Sequence, residues 1–157
     1  MRRCYMKKSL LLCLFILFII SFSACSKTAE ILHFESGNTK YKRGDYTSAI
    51  EDYNKAIELN PKLAEAYTNR GLAKDILGDY TGAIEDHNKT IELNPKLAAA
   101  YTNRGLAKYS LDNYTGAIKD YSKTIELNPK YAEAYSGRGG VKNLLGDNPG
   151  AIKDFSK

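Results

Sequence analysis

The chain is poor in the residue types from which catalytic and metal sites are usually built. Its 157 residues include two histidines, three cysteines and no tryptophan. No group of His, Cys, Asp and Glu has the spacing of metal ligands, and the carboxylates recur in register, as structural residues do. A nucleophile and its base would have to interrupt that regularity. We therefore expect a protein that is not an enzyme and that uses no metal or other cofactor.

A surplus of positive charge is also missing from most of the chain, although the formal net charge is +5. Four of the 23 basic residues lie in residues 1–24, which contain no acidic residue, so residues 25–157 hold 19 basic and 18 acidic residues. The two signs are interspersed, and no basic stripe stands out. Nucleic-acid binding depends on such a stripe, so we expect no nucleic-acid partner.

The chain has one long apolar run, residues 10–20, which is short for a membrane-spanning helix. Extended to residue 24 it offers 15 residues, whereas a spanning helix needs about 20. Basic residues precede the run, and small, weakly polar residues follow it, apart from Phe22. This three-part pattern is typical of a secretory signal. We predict that residues 1–24 are a signal peptide that is removed, with a permanent anchor as the second interpretation.

The expected cleavage site ends in a cysteine. Residues 22–25 read Phe-Ser-Ala-Cys and resemble the lipobox of bacterial lipoproteins, although leucine is usual where Phe22 stands. Cys4 and Cys13 would be removed, which leaves Cys25 without a disulfide partner. The resemblance implies that Cys25 carries acyl chains such as palmitate. The alternative is an ordinary cleavage near Ser23 that leaves a free thiol.

A lipidated Cys25 would define where the protein is found. Each buried CH₂ of an acyl chain contributes about 0.8 kcal/mol to membrane binding, so two or three chains hold firmly. Residues 25–29 would be a short tether between this membrane anchor and the rest of the chain. We expect a bacterial cell-envelope protein on the extracytoplasmic side. Ser26 favours the outer membrane over the inner one, by resemblance to lipoprotein sorting.

The rest of the chain follows a period of 34 residues. The segment Glu-Leu-Asn-Pro-Lys recurs at residues 58–62, 92–96 and 126–130. A fixed period between 20 and 50 residues marks a stack of similar supersecondary units. The second and third copies are identical at 25 of 34 positions. The copies are residues 30–63, 64–97, 98–131 and 132–157, the last of which stops after 26 positions.

Each copy predicts a pair of helices. In the second copy, residues 64–77 place an aromatic ring, a glycine and small residues on one helical face, and Gly78 suits the left-handed position after a helix. A second apolar stripe predicts a helix over residues 81–93. Pro95 ends it, because the residue before proline avoids the helical region. We expect Gly71 to lie where two backbones approach closely.

This pattern of aromatic ring, glycine, Gly-Asp-Tyr turn, Ala-Ile pair and closing Asn-Pro resembles the tetratricopeptide repeat (TPR). The resemblance covers residues 30–157. It implies an all-α fold, a right-handed α-solenoid of antiparallel helix pairs that follows the signal peptide. Tyrosine replaces the usual leading tryptophan, and Arg70, Arg104 and Arg138 replace a leucine. Asp112 replaces the turn glycine of the third copy, which predicts a strained or rearranged turn.

In TPR proteins the first helices line the inside of the superhelix, so the resemblance also implies a groove for an extended or helical peptide. The residues expected to form this partner-binding groove are Tyr41, Thr68, Asn69, Leu72, Asp75, Thr102, Asn103, Leu106, Tyr109 and Asn143. The same stripe continues through Ile31, Phe34, Asn38, Glu65, Ala99, Glu133, Ser136 and Gly140. Thr, Glu and Ala occupy the places where the chaperone-tail clamp of some TPR proteins has Lys and Arg. The alternative is that the copies preserve packing alone, with no specific ligand.

Two sets of recurring polar residues have structural interpretations. Each of the three arginines precedes an aspartate by 16 residues, and we hypothesise ion pairs within a unit or across to the next. Solvated arginine head groups are the alternative. Both histidines take the place of aromatic rings, so we interpret them as ring substitutions in packed sites. The aspartates are Asp86, Asp120 and Asp154, and the histidines are His33 and His87.

The last copy predicts a short helix over residues 149–157 with no unit beyond it. Repeat arrays need a cover for each end, so we expect partial exposure of Val141, Leu144, Ile152 and Phe155. The helix would fray, or self-association would cover it, or the chain would be a truncated longer array. We favour a membrane-anchored scaffold that binds a protein or peptide partner. The alternative is an adaptor module or fragment of a machine for envelope assembly, secretion or cell-wall synthesis.

Overall fold

The computed structural model describes residues 27–157, and this part of the chain is helical, with short turns and no strand. Helix α1 covers residues 27–42 of the described part. The other helices are α2 (Tyr46–Leu59), α3 (Ala64–Ile76), α4 (Tyr80–Leu93), α5 (Ala98–Ser110), α6 (Tyr114–Leu127), α7 (Ala132–Leu144) and α8 (Asn148–Phe155). Between residues 27 and 157, no helix has both the length and the apolar character needed to cross a bilayer.

The predictions for the start of the chain fall largely outside this range. The predicted signal peptide (residues 1–24) and the predicted lipidation site Cys25 lie outside the described residues. Residues 27–29, which the sequence analysis assigned to the tether, are helical and run on into α1.

A tight turn joins the two helices of each pair. Its left-handed residue is a glycine with φ between 81° and 85° in three pairs, at Gly44, Gly78 and Gly146. In the third pair Asp112 takes this position with φ of 57°. The backbone N–H of Asn113 still donates to the carbonyl of Lys108 at 2.9 Å, as Asp79 donates to Lys74 in the second pair. The turn is therefore conformationally strained and not rearranged, because an L-residue rarely adopts this region.

The residue after each turn caps the second helix. In the second pair, a carboxylate oxygen of Asp79 accepts a hydrogen bond from the backbone N–H of Gly82 at 3.0 Å. Asp45, Asn113 and Asp147 make the same contact in the other pairs. Such a cap satisfies one of the N–H groups that have no partner inside the helix. Turn and cap together make the helices of each pair run antiparallel.

Small residues and rings build the core. The fully buried apolar side chains of the described part are mostly alanines, and each of the first three pairs adds a buried ring from its second helix, Tyr53, His87 or Tyr121. A Cβ on Gly71 would lie 2.7 Å from Cε1 of His87, so this glycine makes room for the ring. The expected close approach of two backbones at Gly71 is thus corrected to contact between a helix and a ring.

Successive pairs stack so that their first helices lie side by side. Each helix from α2 to α8 packs on its neighbours in the chain, and α5 also contacts both α3 and α7. Between the first two pairs, Ala56 and Ile57 of α2 pack with Ala66 and Tyr67 of α3. At the last pair, Leu144, Ile152 and Phe155 are exposed as expected. The expectation for Val141 is wrong, because this side chain is 1% exposed and packs with Tyr121.

Candidate functional site

The stacking makes one continuous surface from the exposed side chains of α1, α3, α5 and α7, called here the first-helix face. Two open cavities lie along it. The N-terminal cavity has a volume of about 290 Å³ and is lined by Phe34, Ala64, Glu65, Thr68, Asn69, Asn94 and Leu97. The C-terminal cavity has a volume of about 200 Å³ and is lined by Leu106, Tyr109, Tyr121, Ser136, Gly137, Gly140 and Val141.

Four of the ten predicted groove residues line these cavities. Thr68 and Asn69 lie in the N-terminal cavity, and Leu106 and Tyr109 lie in the C-terminal one. Leu106 is 52% exposed and Tyr109 is 42% exposed, so both present apolar surface to a partner. The other six line neither cavity: Tyr41, Leu72, Asp75, Thr102, Asn103 and Asn143.

Several of these side chains are engaged within the fold. The hydroxyl of Thr102 lies 3.0 Å from that of Thr124 on α6, and the Thr68 hydroxyl lies 3.2 Å from that of Thr90 on α4. The ring of Tyr41 packs edge-on against Tyr46, with centroids 5.2 Å apart. These contacts hold the two helices of a pair together, so several of the predicted groove residues are engaged within their own pair.

Asp75 is engaged by a histidine. Its Oδ2 lies 3.0 Å from Nε2 of His87, whose side chain is fully buried in the place of Tyr53 and Tyr121. The interpretation of His87 as a ring in a packed site is confirmed. Nδ1 of His33 lies 3.8 Å from a carboxylate oxygen of Asp52.

The three arginines pair with the three aspartates as hypothesised, within their own units. Nε of Arg104 lies 2.9 Å from Oδ2 of Asp120, and Nη2 lies 2.6 Å from Oδ1. The same two-point contact joins Arg70 to Asp86 and Arg138 to Asp154. All three carboxylates are at least 97% buried. This fork-to-carboxylate geometry is the strong form of an ion pair.

Each arginine also contacts the preceding unit. Nη1 of Arg104 donates to the amide oxygen of Asn88 on α4 at 2.7 Å, and its guanidinium lies 5.5 Å from the ring centroid of Tyr101. Arg70 and Arg138 make the equivalent contacts to Asn54 and Ser122. A single side chain therefore joins two helices of its own pair to the pair before it.

A lysine supplies each aspartate with a second cation. Nζ of Lys108 lies 2.7 Å from Oδ2 of Asp120, and Lys74 and Lys142 contact Asp86 and Asp154 in the same way. The bond from Arg138 lowers the pKa of Asp154 against the opposing effect of burial, and Lys142 lowers it further. In the first pair Ser36 stands at the repeat position of the arginine, and Lys40 and Ser36 bind Asp52 instead.

This network determines the charge of the first-helix face. Helices α3, α5 and α7 contain six basic residues, and all six pair with the aspartates of α4, α6 and α8. The exposed Glu65 and Glu133 remain on the same helices. Along α3, α5 and α7 the face therefore has carboxylates and no unpaired cation.

Three residues of the C-terminal cavity were not predicted from the sequence, namely Tyr121, Gly137 and Val141, and neither were the second cations of the aspartates. A comparison of copies could have found the cavity. Glycines stand at positions 137 and 140, where the preceding copy has Asn103 and Leu106. The fourth copy thus removes two side chains from its first helix.

Comparison with known proteins gives the same fold. A family model described as "TPR repeat" matches residues 37–74. A second model, described as "Tetratricopeptide repeat", matches residues 64–97 and again residues 98–131. The crystal structure of MamA is 31% identical with a TM-score of 0.79, covering 81% of this chain and 74% of that one. A Protein SGT1 homolog from Oryza sativa subsp. japonica is 44% identical over 57 residues, which are 36% of this chain and 15% of that protein.

Two of the similar structures contain peptides. The first TPR of Spaghetti (RPAP3) bound to the HSP90 peptide SRMEEVD is 31% identical with a TM-score of 0.73, covering 76% of this chain and 94% of that one. The second TPR domain of human RPAP3 in complex with the HSP70 peptide SGPTIEEVD is 26% identical with a TM-score of 0.72. The match covers 74% of this chain and 98% of that one. The chain belongs to the tetratricopeptide-repeat family.

Proposed function

We propose that the protein is a non-catalytic scaffold that binds a peptide segment of a partner protein along the first-helix face. The observation that carries the proposal is the pair of cavities on this one face, each lined by residues of neighbouring first helices. Solved relatives with the same fold hold peptides, as the two RPAP3 domains do. An extended peptide that crosses successive first helices would contact both cavities.

The charge of the face favours a neutral or basic peptide. Both peptides bound by the RPAP3 domains end in Glu-Glu-Val-Asp. A carboxylate placed on α3, α5 or α7 here would find every cation already paired, with Glu65 and Glu133 nearby. Like charges brought together at an interface oppose binding. This chain is therefore expected to reject such acidic tails and to accept lysine or arginine near the two glutamates.

Fluorescence polarisation with labelled SRMEEVD, and with a version in which lysine replaces each acidic residue, tests the charge preference. We expect the lysine version to bind more tightly at low salt. The double variant Glu65→Lys/Glu133→Lys should reverse the order, whereas Lys119→Glu on the exposed part of α6 should leave it unchanged. Tighter binding of SRMEEVD to the unaltered protein would reject the preference.

The amino-terminal pattern supports a lipid anchor at Cys25 on the extracytoplasmic side of a bacterial envelope, with the outer membrane favoured. The supporting features are the apolar run after a basic start, the small residues before Cys25, and the lack of another cysteine after residue 24. Metabolic labelling with palmitate should mark the protein and disappear in Cys25→Ala. Labelling that persists in this variant rejects the site.

A second candidate role, as an adaptor module that associates with itself or with a larger machine, is favoured by the carboxy-terminal end. Leu144, Leu145, Ile152 and Phe155 are each more than half exposed there. At the inner junctions the position of Phe155 is covered, since Tyr121 is 3% exposed there, whereas the counterparts of Leu144 and Leu145 stay exposed. Size-exclusion chromatography with light scattering distinguishes the states: a dimer that Phe155→Ser converts to a monomer supports self-association, and a monomer at all concentrations rejects it.

A further inference from the structure

We infer that the C-terminal cavity is a subsite for one large apolar side chain of the bound peptide, and that the Tyr121 hydroxyl donates a hydrogen bond to a peptide carbonyl beside it. This deepens the proposed function and rests on it, because the subsite has a role only if a peptide binds the first-helix face. Three features of the cavity support the subsite: an unpaired hydroxyl, two glycines and an uncharged lining.

The first feature is the hydroxyl of Tyr121. In the first pair, the equivalent Tyr53 donates to the amide oxygen of Asn38 at 3.0 Å, and Asn69 donates to the same oxygen at 2.8 Å. Two repeats later, Leu106 and Gly137 occupy the places of these asparagines. Among residues 27–157 the Tyr121 hydroxyl has no hydrogen-bond partner, although its side chain is 97% buried.

An unpaired hydroxyl at the wall of a cavity is unfavourable unless water or a ligand satisfies it. Burial also raises the pKa of Tyr121 to about 12, so the group remains a neutral donor at physiological pH. A carbonyl of an extended peptide is a suitable acceptor, since peptide backbones carry one at every residue.

The second feature is the pair of glycines on α7. A Cβ at position 137 would lie 2.7 Å from Cζ of Tyr121, so glycine is needed for the ring to reach the cavity. A Cβ at position 140 would meet no atom within 4 Å, so Gly140 opens the cavity without a packing requirement of its own. Glycine inside a helix is less stable than alanine. The space therefore exists at the expense of helix stability.

The third feature is the lining, which matches an apolar side chain. Leu106, Val141 and the ring of Tyr109 form apolar walls, and no charged group lines the cavity. Besides Tyr121, the side chains with a hydroxyl in the lining are Tyr109 and Ser136. A cavity of about 150 Å³ is enough for a benzene ring, so this volume of about 200 Å³ accepts a side chain such as Leu, Met or Phe. An ionised side chain would lose its hydration there without gaining a partner.

A phage-displayed library of random 12-residue peptides, selected on the full chain, supplies the probe for the test. We expect the enriched peptides to share one Leu, Met or Phe and to be poor in Asp and Glu. Synthetic copies of the strongest peptide would then be titrated by fluorescence polarisation. Gly140→Leu fills the cavity with the residue of the preceding copy and should weaken binding at least tenfold. Tyr121→Phe should weaken it about three- to tenfold, the range of one hydrogen bond.

Tyr53→Phe is the matched control. It removes a hydroxyl that is bonded within the fold, so it should lower thermal stability and leave peptide affinity unchanged. Tyr121→Phe should leave thermal stability unchanged and weaken the binding of the peptide. Replacing the peptide's apolar residue by alanine should weaken binding to the unaltered protein but not to Gly140→Leu, because the two changes remove the same contact.

The failure of the subsite differs from the failure of the peptide-binding face. If peptides bind but Gly140→Leu and Tyr121→Phe bind them with unaltered affinity, the subsite is rejected and the face remains. If no peptide is enriched on the protein beyond its enrichment on a surface without protein, both the subsite and the peptide-binding face are rejected. Circular dichroism checks that Gly140→Leu keeps its helices, and should it unfold, the affinity of Tyr121→Phe decides the question.

Discussion

Replacing Arg104 by alanine should destabilise the array more than any exposed substitution on the same helix pair. Arg104 binds Asp120 through two nitrogens, reaches Asn88 of the preceding unit and lies over the ring of Tyr101. Asp120 is 2% exposed. Truncation of Arg104 leaves this carboxylate buried and removes the bond between two units.

The magnitude follows from what remains after the change. Removal of one partner from a buried ion pair typically costs about 3–5 kcal/mol. Here Lys108 stays 2.7 Å from Asp120, and the Arg104 side chain is 18% exposed before the change. Both facts reduce the loss of stability, so we expect Arg104→Ala to lower the free energy of unfolding by about 2–3 kcal/mol. For a domain of this size the unfolding midpoint should fall by about 7–12 °C.

Thermal unfolding monitored by circular dichroism at 222 nm measures the effect. Lys119→Ala, on the exposed part of α6, is the control and should change the free energy of unfolding by less than about 0.5 kcal/mol. The double variant Arg104→Ala/Asp120→Ala should lose less than the sum of the single variants, since it leaves no buried carboxylate without its arginine, and only Lys108 loses its partner. An Arg104→Ala midpoint no lower than that of Lys119→Ala would show that the pairing does not stabilise the fold.

Four further substitutions probe the core, the turn and the acid response. Gly71→Ala should lower the free energy of unfolding by about 1–3 kcal/mol because its Cβ meets the His87 ring, whereas Gly140→Ala should raise it by up to about 1 kcal/mol. Urea denaturation measures both changes. A Gly71→Ala variant more stable than Gly140→Ala would contradict the packing at Gly71. Asp112→Gly should raise the thermal midpoint of unfolding, since glycine relieves a strain of about 1–2 kcal/mol at positive φ. A lower midpoint would mean that the hydrogen bond between Asp112 and Tyr114 stabilises the turn by more than the strain destabilises it. Arg138 lowers the pKa of Asp154 in the folded state, so this carboxylate stabilises the fold above its unfolded pKa of about 3.9 and loses that contribution as the pH falls towards the folded value. Asp154→Asn should therefore be less stable than the unaltered protein at pH 7, with a gap in urea midpoint that narrows below about pH 4; a gap of equal size at pH 3 and pH 7 would exclude this linkage.

The helix pairs could be read from the sequence because their signals are local. Residues 64–77 and 81–93 were predicted as helices, and α3 and α4 are Ala64–Ile76 and Tyr80–Leu93. The left-handed glycines, the aspartate caps and the Asn-Pro ends act within a few residues of where they stand. The pairing of Arg104 with Asp120 was also accessible, since a constant spacing of 16 residues joins the two helices of every pair.

The groove residues were harder to predict from the sequence, because a periodic stripe does not show which side chains make contacts inside a helix pair. Asp75 was placed on the partner-binding surface, yet it contacts His87. Thr102 faces Thr124. A residue halfway between the helix interface and solvent can turn to either side, and the packed neighbour decides which.

The sequence by itself determined the architecture, because a 34-residue period with its own turns and caps specifies one helix pair and repeats it. Only the tertiary structure decided the chemistry of the first-helix face. Helix packing brought the six basic side chains of α3, α5 and α7 against the buried aspartates of their own pairs, so that they are not free cations at the surface. It also left the Tyr121 hydroxyl beside two glycines, since the residues that bind Tyr53 in the first pair have no counterpart there.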